Sequence, residues 1–174
     1  MSSPKRILLL SDTHGCADAF ILKYAAEVDE IWHAGDIGPI ATADALAALA
    51  PLRAVHGNID DAQVRLSYPE DLAFECNGLR VWMTHIGGYP GKYPTRIRSQ
   101  LLARRPQLFI SGHSHILRVI NDPKLQCMTI NPGAAGIHGF HQVRTMLQFE
   151  VFQGKMQNML LIERPRSQAD NTAL

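Results

Sequence analysis

Five short clusters in this chain carry residues able to hold a cation: Asp12-Thr13-His14, Gly35-Asp36, Gly57-Asn58, His85 and Gly112-His113-Ser114-His115. Each falls just after an apolar run that reads as a β-strand. Four of them introduce metal-type ligands at strand ends, and the fifth adds Asn58, whose amide oxygen can also bind a cation. The set supplies two carboxylates, one amide and four imidazoles, enough for two metal ions sharing a bridging ligand. Such a pair suits hydrolysis of phosphate esters, because two cations can stabilise both the attacking and the leaving oxygen of an in-line displacement.

Each cluster alone has an ordinary reading. Asp-x-His after a strand also fits a helix cap followed by a surface histidine, and Gly-Asp and Gly-Asn are common turn dipeptides. Gly112-His113-Ser114-His115 carries more weight, since two imidazoles at i and i+2 follow an apolar strand where a glycine permits close backbone approach. Their joint occurrence favours the metal reading.

The elements that must position these residues are legible from patterning. Ile7 to Leu10 is a continuous apolar run, as expected of a doubly buried parallel strand. Ala17 to Glu27 reads as a helix, Glu30 to Ala34 as a second strand, Thr42 to Ala50 as an Ala/Leu helix with Thr42 as its cap, and Leu52 to Val55 as a third strand. This β-α-β-α-β alternation predicts parallel strands whose carboxyl ends lie along one edge. Asp12, His14, Asp36 and Asn58 would emerge there.

The pattern then changes. Leu72 to Cys76 and Leu79 to Thr84 read as a hairpin about Asn77-Gly78, which supplies the positive φ angles of a type I′ turn. A helix at Arg96 to Arg105 leads to a strand at Leu108 to Ser111. The segments Arg118 to Ile120, Leu125 to Ile130, Thr145 to Phe152 and Met156 to Ile162 read as further strands, making the second half mostly antiparallel. The expected fold class is α/β: two packed, mainly mixed β-sheets flanked by helices. The expected organisation is one domain over 1–163, followed by a disordered polar tail over 164–174.

Taken in order, Asp12-x-His14, Gly35-Asp36, Gly57-Asn58, His85 and Gly112-His113-x-His115 resemble the five blocks of the calcineurin-like metallophosphoesterases. The small size and the Gly57-Asn58-Ile59-Asp60 variant resemble the compact bacterial and archaeal phosphodiesterase branch, and the resemblance runs from about Ile7 to Gly133. It implies two divalent metal ions between two sheets. One would be held by Asp12, His14, Asp36 and His115, and the other by Asp36, Asn58, His85 and His113, with Asp36 bridging. It also implies phosphodiester hydrolysis by a metal-bridging hydroxide, with Asp36, Asn58 and His85 in the catalytic set. Manganese is the expected metal, and iron, nickel or zinc also suit mixed Asp, Asn and His ligands.

One position departs from that family. Many members carry His directly after the Gly-Asn pair, where it stabilises the transition state or protonates the leaving group, and here Ile59 stands instead. The substitution disfavours poorly activated monoesters and points to diesters with better leaving groups, or to an acid supplied by another segment. Asp60 reads as a cap for the next turn.

Other residues take subsidiary expectations. His33 and His56 read as packing or supporting residues. His138 and His141, in the Gly-rich segment after Asn131-Pro132-Gly133, are candidates to face the substrate, and Arg144 fits either a phosphate partner or a solvated strand. The stretch His85 to Pro94 fails as a phosphate loop, because Ile86 and Tyr93 replace the required Gly and hydroxyl residues. It reads either as a mobile lid, its glycines allowing motion and its prolines limiting it, from which Tyr89, Lys92 and Arg96 could contact the leaving group, or as an ordinary exposed loop.

Composition bounds the alternatives. The 174 residues carry a net charge of +1, so no nucleic-acid groove or basic membrane face is indicated, and no segment approaches spanning length. Three widely separated cysteines without CxxC spacing imply neither a disulfide framework nor a thiolate zinc site, which fits a reducing cytoplasm. The expected partner is a small phosphate ester, and a sheet edge or the C-terminal hairpin could support a homo-oligomer. The rival functions are a phosphomonoesterase, a single regulatory metal site, or a protein-binding scaffold on the same fold, as in the retromer subunit that resembles these enzymes.

Overall fold

The structure, a computed structural model, describes residues 3–166. Its first half runs β1 (Lys5–Leu10), α1 (Ala19–Ala25), β2 (Glu30–His33), α2 (Ile40–Ala47), β3 (Leu52–Ala54) and α3 (Ala62–Ser67). The second half runs β4 (Asp71–Cys76), β5 (Leu79–Thr84), α4 (Thr95–Arg104), β6 (Leu108–Ile110), β7 (Leu117–Asp122), β8 (Cys127–Pro132), β9 (Val143–Phe152) and β10 (Lys155–Pro165). Two five-stranded mixed sheets result, ordered β10-β9-β1-β2-β3 and β4-β5-β6-β8-β7.

The sheets stack face to face. Ile7 and Leu9 of β1, Trp32 of β2 and Phe149 of β9 meet Val81 and Met83 of β5 and Ile110 of β6 in one buried cluster. Leu8 and Leu10 point the other way, onto Ile21 and Ala25 of α1 and Leu46 of α2. That two-sided burial is why β1 has no polar alternation. On the far face of the second sheet, Trp82 and Phe109 pack against Ile97 and Leu101 of α4. The layers are helix, sheet, sheet, helix.

Several expectations need correction. The second half pairs antiparallel at β4–β5, β7–β8 and β9–β10, but β5, β6 and β8 run parallel to one another in the middle of the second sheet, which hairpin patterning alone does not predict. The C-terminal hairpin joins the first sheet, with β9 antiparallel to β1. Helix α2 begins at Ile40 after Pro39, and Thr42 is a buried residue within it, not its cap; Pro39 ends the preceding loop with its φ already set for the helix. Helix α3 was hidden by its shortness, and its cap is Asp61, whose carboxylate accepts from the Gln63 and Val64 amides. The expected tail begins too early, because β10 continues to Pro165 and the Arg166 amide donates to the Gln142 carbonyl. Its remaining residues, 167–174, lie outside the described ones.

The hairpin at Asn77-Gly78 has the expected geometry, with φ of 44° and 84°. Among the described residues no helix is long and apolar enough to cross a membrane.

Candidate metal centre

Strands β1, β2 and β3 run parallel, so the loops that follow them share one edge of the first sheet. Strands β5 and β6 do the same for the second sheet. Backbone bonds knit the loops: Asp12 N–H to the Gly35 carbonyl at 3.0 Å, His14 N–H to Asp36 at 3.0 Å, and Gly112 N–H to His85 at 2.8 Å. The His113 amide donates to Asp12 Oδ2 at 3.1 Å and ties the second sheet to the first.

The result is two groups of three side chains whose ligating atoms lie within 4.8 Å of one another, Asp12 with His14 and His115, and Asp36 with His85 and His113. His115 Nε2 stands 3.3 Å from Asp12 Oδ1 and 3.3 Å from His14 Nε2. Asp36 faces both groups, with Oδ1 3.2 Å from His85 Nε2 and Oδ2 3.7 Å from His14 Nε2. Asn58 is exposed and lines a cleft of about 440 Å³ with His56, Arg65, His85, Ile86 and Arg96.

These residues fit divalent cations on three counts. Among the described residues, Asp12 Oδ1 and His85 Nε2 are buried without a hydrogen-bond partner, and each belongs to one of the two groups just described. Orphaned buried polar atoms are costly and call for an ion or another partner. Asp12, His14, Asp36, His113 and His115 all adopt positive φ, between 47° and 68°. Each such non-glycine residue costs on the order of 1–3 kcal/mol, a strain that clusters at functional sites. The donor set of imidazole nitrogens and carboxylate oxygens suits transition-metal cations.

Close approach explains Gly57. A Cβ there would stand 2.0 Å from Asp36 Oδ1 and 2.4 Å from the Asp36 amide nitrogen. Only a residue without a side chain leaves the carboxylate where it is.

Hydrogen bonds orient the imidazoles. His85 Nδ1 donates to the Ala34 carbonyl at 2.7 Å, which leaves Nε2 to face Asp36. Burial lowers the pKa of His85, but the Asp36 and Asp12 carboxylates outweigh it and hold the group above its ordinary value. Burial raises Asp36, and His85 with the Ile59 amide outweighs that effect and holds it low. Desolvation dominates at His14, which falls below the ordinary histidine value.

His33 is fully buried and pushed down to about 4 by desolvation. Its Nδ1 accepts from the Gly35 amide at 3.2 Å and its Nε2 meets Thr13 Oγ1 at 2.9 Å, bracing two ligand-bearing loops. Asp60 is not the cap of α3 but a buried brace, accepting from the Gly38 and Gly57 amides at 2.8 and 2.7 Å.

The subsidiary candidates separate. His138 lines a second cleft, of about 370 Å³, with His14, Gly38, Pro39, Ile59 and Asp61, and its ring centroid is 5.2 Å from that of His14. Arg96 reaches the first cleft but is paired with Glu70 and Asp71 at 3.2 and 3.1 Å. The Tyr89 ring lies under the Arg118 guanidinium at 4.0 Å, and the Lys92 amide donates to the Tyr89 carbonyl at 2.8 Å; neither residue lines the two clefts. His141 does not face the cleft. It is buried behind His115, with its Nδ1 3.2 Å from His115 Nδ1. Arg144 is neither a phosphate partner nor solvated: it is fully buried and holds Asp18 through bonds of 2.7 and 2.9 Å. Sequence patterning gave no signal for that pair, which spans distant segments.

The sequence model of the calcineurin-like phosphoesterase superfamily domain matches residues 6–154. A probable metallophosphoesterase of Methanothermobacter thermautotrophicus is 31% identical over 133 residues, covering 72% of this chain and 74% of the relative. Among solved structures, Chaetomium thermophilum Vps29 superposes with a TM-score of 0.71 at 15% identity, over 94% of this chain and all of the other. A structure described as a novel archaeal phosphodiesterase gives 0.67 at 18% identity, over 90% and 99%. The family match and the curated relative together show that the chain belongs to the calcineurin-like phosphoesterase superfamily.

Proposed function

We propose that the protein is a di-metal phosphoesterase that prefers phosphodiesters. Family membership supports phosphate-ester hydrolysis, and the observation that carries the finer reading is the placement of Asp36, whose two oxygens address the two ligand groups separately. Asp12, His14, Asp36 and His115 would hold one divalent cation, and Asp36, Asn58, His85 and His113 the other. When bound, such cations polarise the phosphoryl oxygens and lower the pKa of water toward neutrality.

The chain's own residues do the rest. Asp36 is held in place by the Ile59 amide at 3.1 Å, and His85 by its bond to Ala34, so the ligand frame is set before substrate arrives. Two separate clefts, one lined by Asn58, His85 and Arg96 and the other by His14 and His138, would give the two substituents of a diester separate places. His138 lines the same cleft as Ile59 and would donate a hydrogen bond to an ester oxygen where position 59 offers only an alkyl chain. Manganese suits the mixed nitrogen and oxygen donors.

The test is turnover of manganese-loaded protein on bis(p-nitrophenyl) phosphate against p-nitrophenyl phosphate, with metal counted per chain. Two ions and a higher kcat/KM for the diester are expected. A monoester preference would make it a phosphomonoesterase, and absence of hydrolysis with both metals bound would favour a protein-binding scaffold.

A further inference from the structure

His141, one of two candidates from the sequence to face the substrate, is 8% exposed and lies behind His115. Its Nε2 is 2.9 Å from the Gly136 carbonyl oxygen, and its Nδ1 is 3.2 Å from His115 Nδ1. A carbonyl only accepts, so the proton of that first bond sits on His141 Nε2. The neutral ring then presents a lone pair at Nδ1, which can only accept from His115. His115 therefore carries its proton at Nδ1 and turns an unprotonated Nε2 toward Asp12 Oδ1 and His14, at 3.3 Å from each.

We propose that His141 is a positioning residue that locks His115 in the tautomer able to ligate a cation, through the chain Gly136 carbonyl, His141, His115. The inference rests on the reading that the Asp12, His14 and His115 group holds a metal. The anchor of the chain is itself fixed, since the Gly136 amide donates to the Asp12 carbonyl at 3.2 Å and so ties the relay to the strand end that bears Asp12. Gly139 is shaped to the pair: its φ is +128°, and a Cβ there would stand 2.5 Å from His115 Nδ1 and 3.1 Å from His141 Nδ1. The exposed Phe140 ring stacks on His115 at 5.6 Å with planes 12° apart, covering the imidazole from the solvent side. The opposite ligand, His85, reaches the same tautomer through a direct carbonyl bond; at His115 Nδ1, among the described residues, His141 takes the part of that carbonyl.

The experiment measures zinc binding to the full chain by chelator competition, for wild type, His141→Phe and His141→Gln. Glutamine can accept from His115 and donate to Gly136, so it preserves the relay, whereas phenylalanine fills the space without either bond. Phenylalanine should weaken one zinc site by about 10- to 100-fold and leave the other near wild type, as loss of an outer-shell partner does. Glutamine should recover most of that loss. Nitrogen-15 imidazole spectra of the zinc-loaded wild type should show His115 protonated at Nδ1 and His141 at Nε2, a readout that stands even if a variant fails to fold. Wild-type binding of two zinc ions with an indifferent His141→Phe, failure of glutamine to rescue a folded protein, or a His141 proton on Nδ1 would each overturn the inference alone. Absence of zinc binding by the wild type would overturn the metal reading along with it.

Discussion

Asp36 Oδ1 lies 3.2 Å from His85 Nε2, joining the loop after β2 in one sheet to the loop after β5 in the other. Because the second Asp36 oxygen faces His14, this one carboxylate sits between two ligand groups that the chain brings together from strand ends far apart in sequence.

Asp36→Asn should fold, bind less metal at both groups and lose more than about 100-fold in kcat/KM, a larger loss than that of an outer-shell residue. The charge needed against two cations is removed while the core cluster is untouched. Elemental analysis with circular dichroism checks it; full metal content with wild-type turnover would refute the bridging role.

Gly57→Ala tests the same carboxylate from the backbone side. A methyl group 2.0 Å from Asp36 Oδ1 must displace it, so affinity for manganese should fall by at least about tenfold. Calorimetric titration measures this directly. An unchanged affinity would mean that Asp36 has room to move without cost to the site.

Ile59→His places an imidazole in the cleft that already holds His14 and His138, since the Ile59 side chain is 46% exposed there. General-acid assistance is worth about 10²- to 10⁴-fold when well placed, so the gain should be largest for poor leaving groups. Rates across diesters of graded leaving-group pKa should give a shallower slope. A slope identical to wild type in a folded, metal-loaded variant would place position 59 away from the leaving group.

Asp18→Asn probes stability away from the centre. Asparagine keeps an oxygen to cap α1 but removes a carboxylate charge beside the fully buried Arg144, at a cost of about 3 kcal/mol. Burial raises the Asp18 pKa, and Arg144 with the Ile21 amide outweighs it and holds the carboxyl below its ordinary value. A group lowered on folding stabilises fully above its unfolded pKa and loses that contribution as pH falls through the folded one. The gap between wild type and variant, measured by urea denaturation, should be constant around neutrality and close in acid. A gap that widens in acid would contradict the ion-pair account.

Local rules carried much of this protein. The apolar runs at Ile7 to Leu10 and Leu108 to Ile110, and the Asn77-Gly78 turn, follow from burial and from backbone preferences that act over a few residues, so strands and the hairpin were readable. The strand-end position of Asp12, Asp36, Asn58, His85 and His113 followed from the same runs, because a parallel strand delivers its next residue to a known edge. What patterning could not supply was pairing between distant segments. Whether β6 lies parallel to β8, and whether the C-terminal hairpin completes the first sheet, depends on which faces bury each other once the sheets stack. Buried Arg144 and His141 went unread for the same reason: each is polar by composition, and only the chain's return past Asp18 and His115 gives it a partner that makes burial favourable.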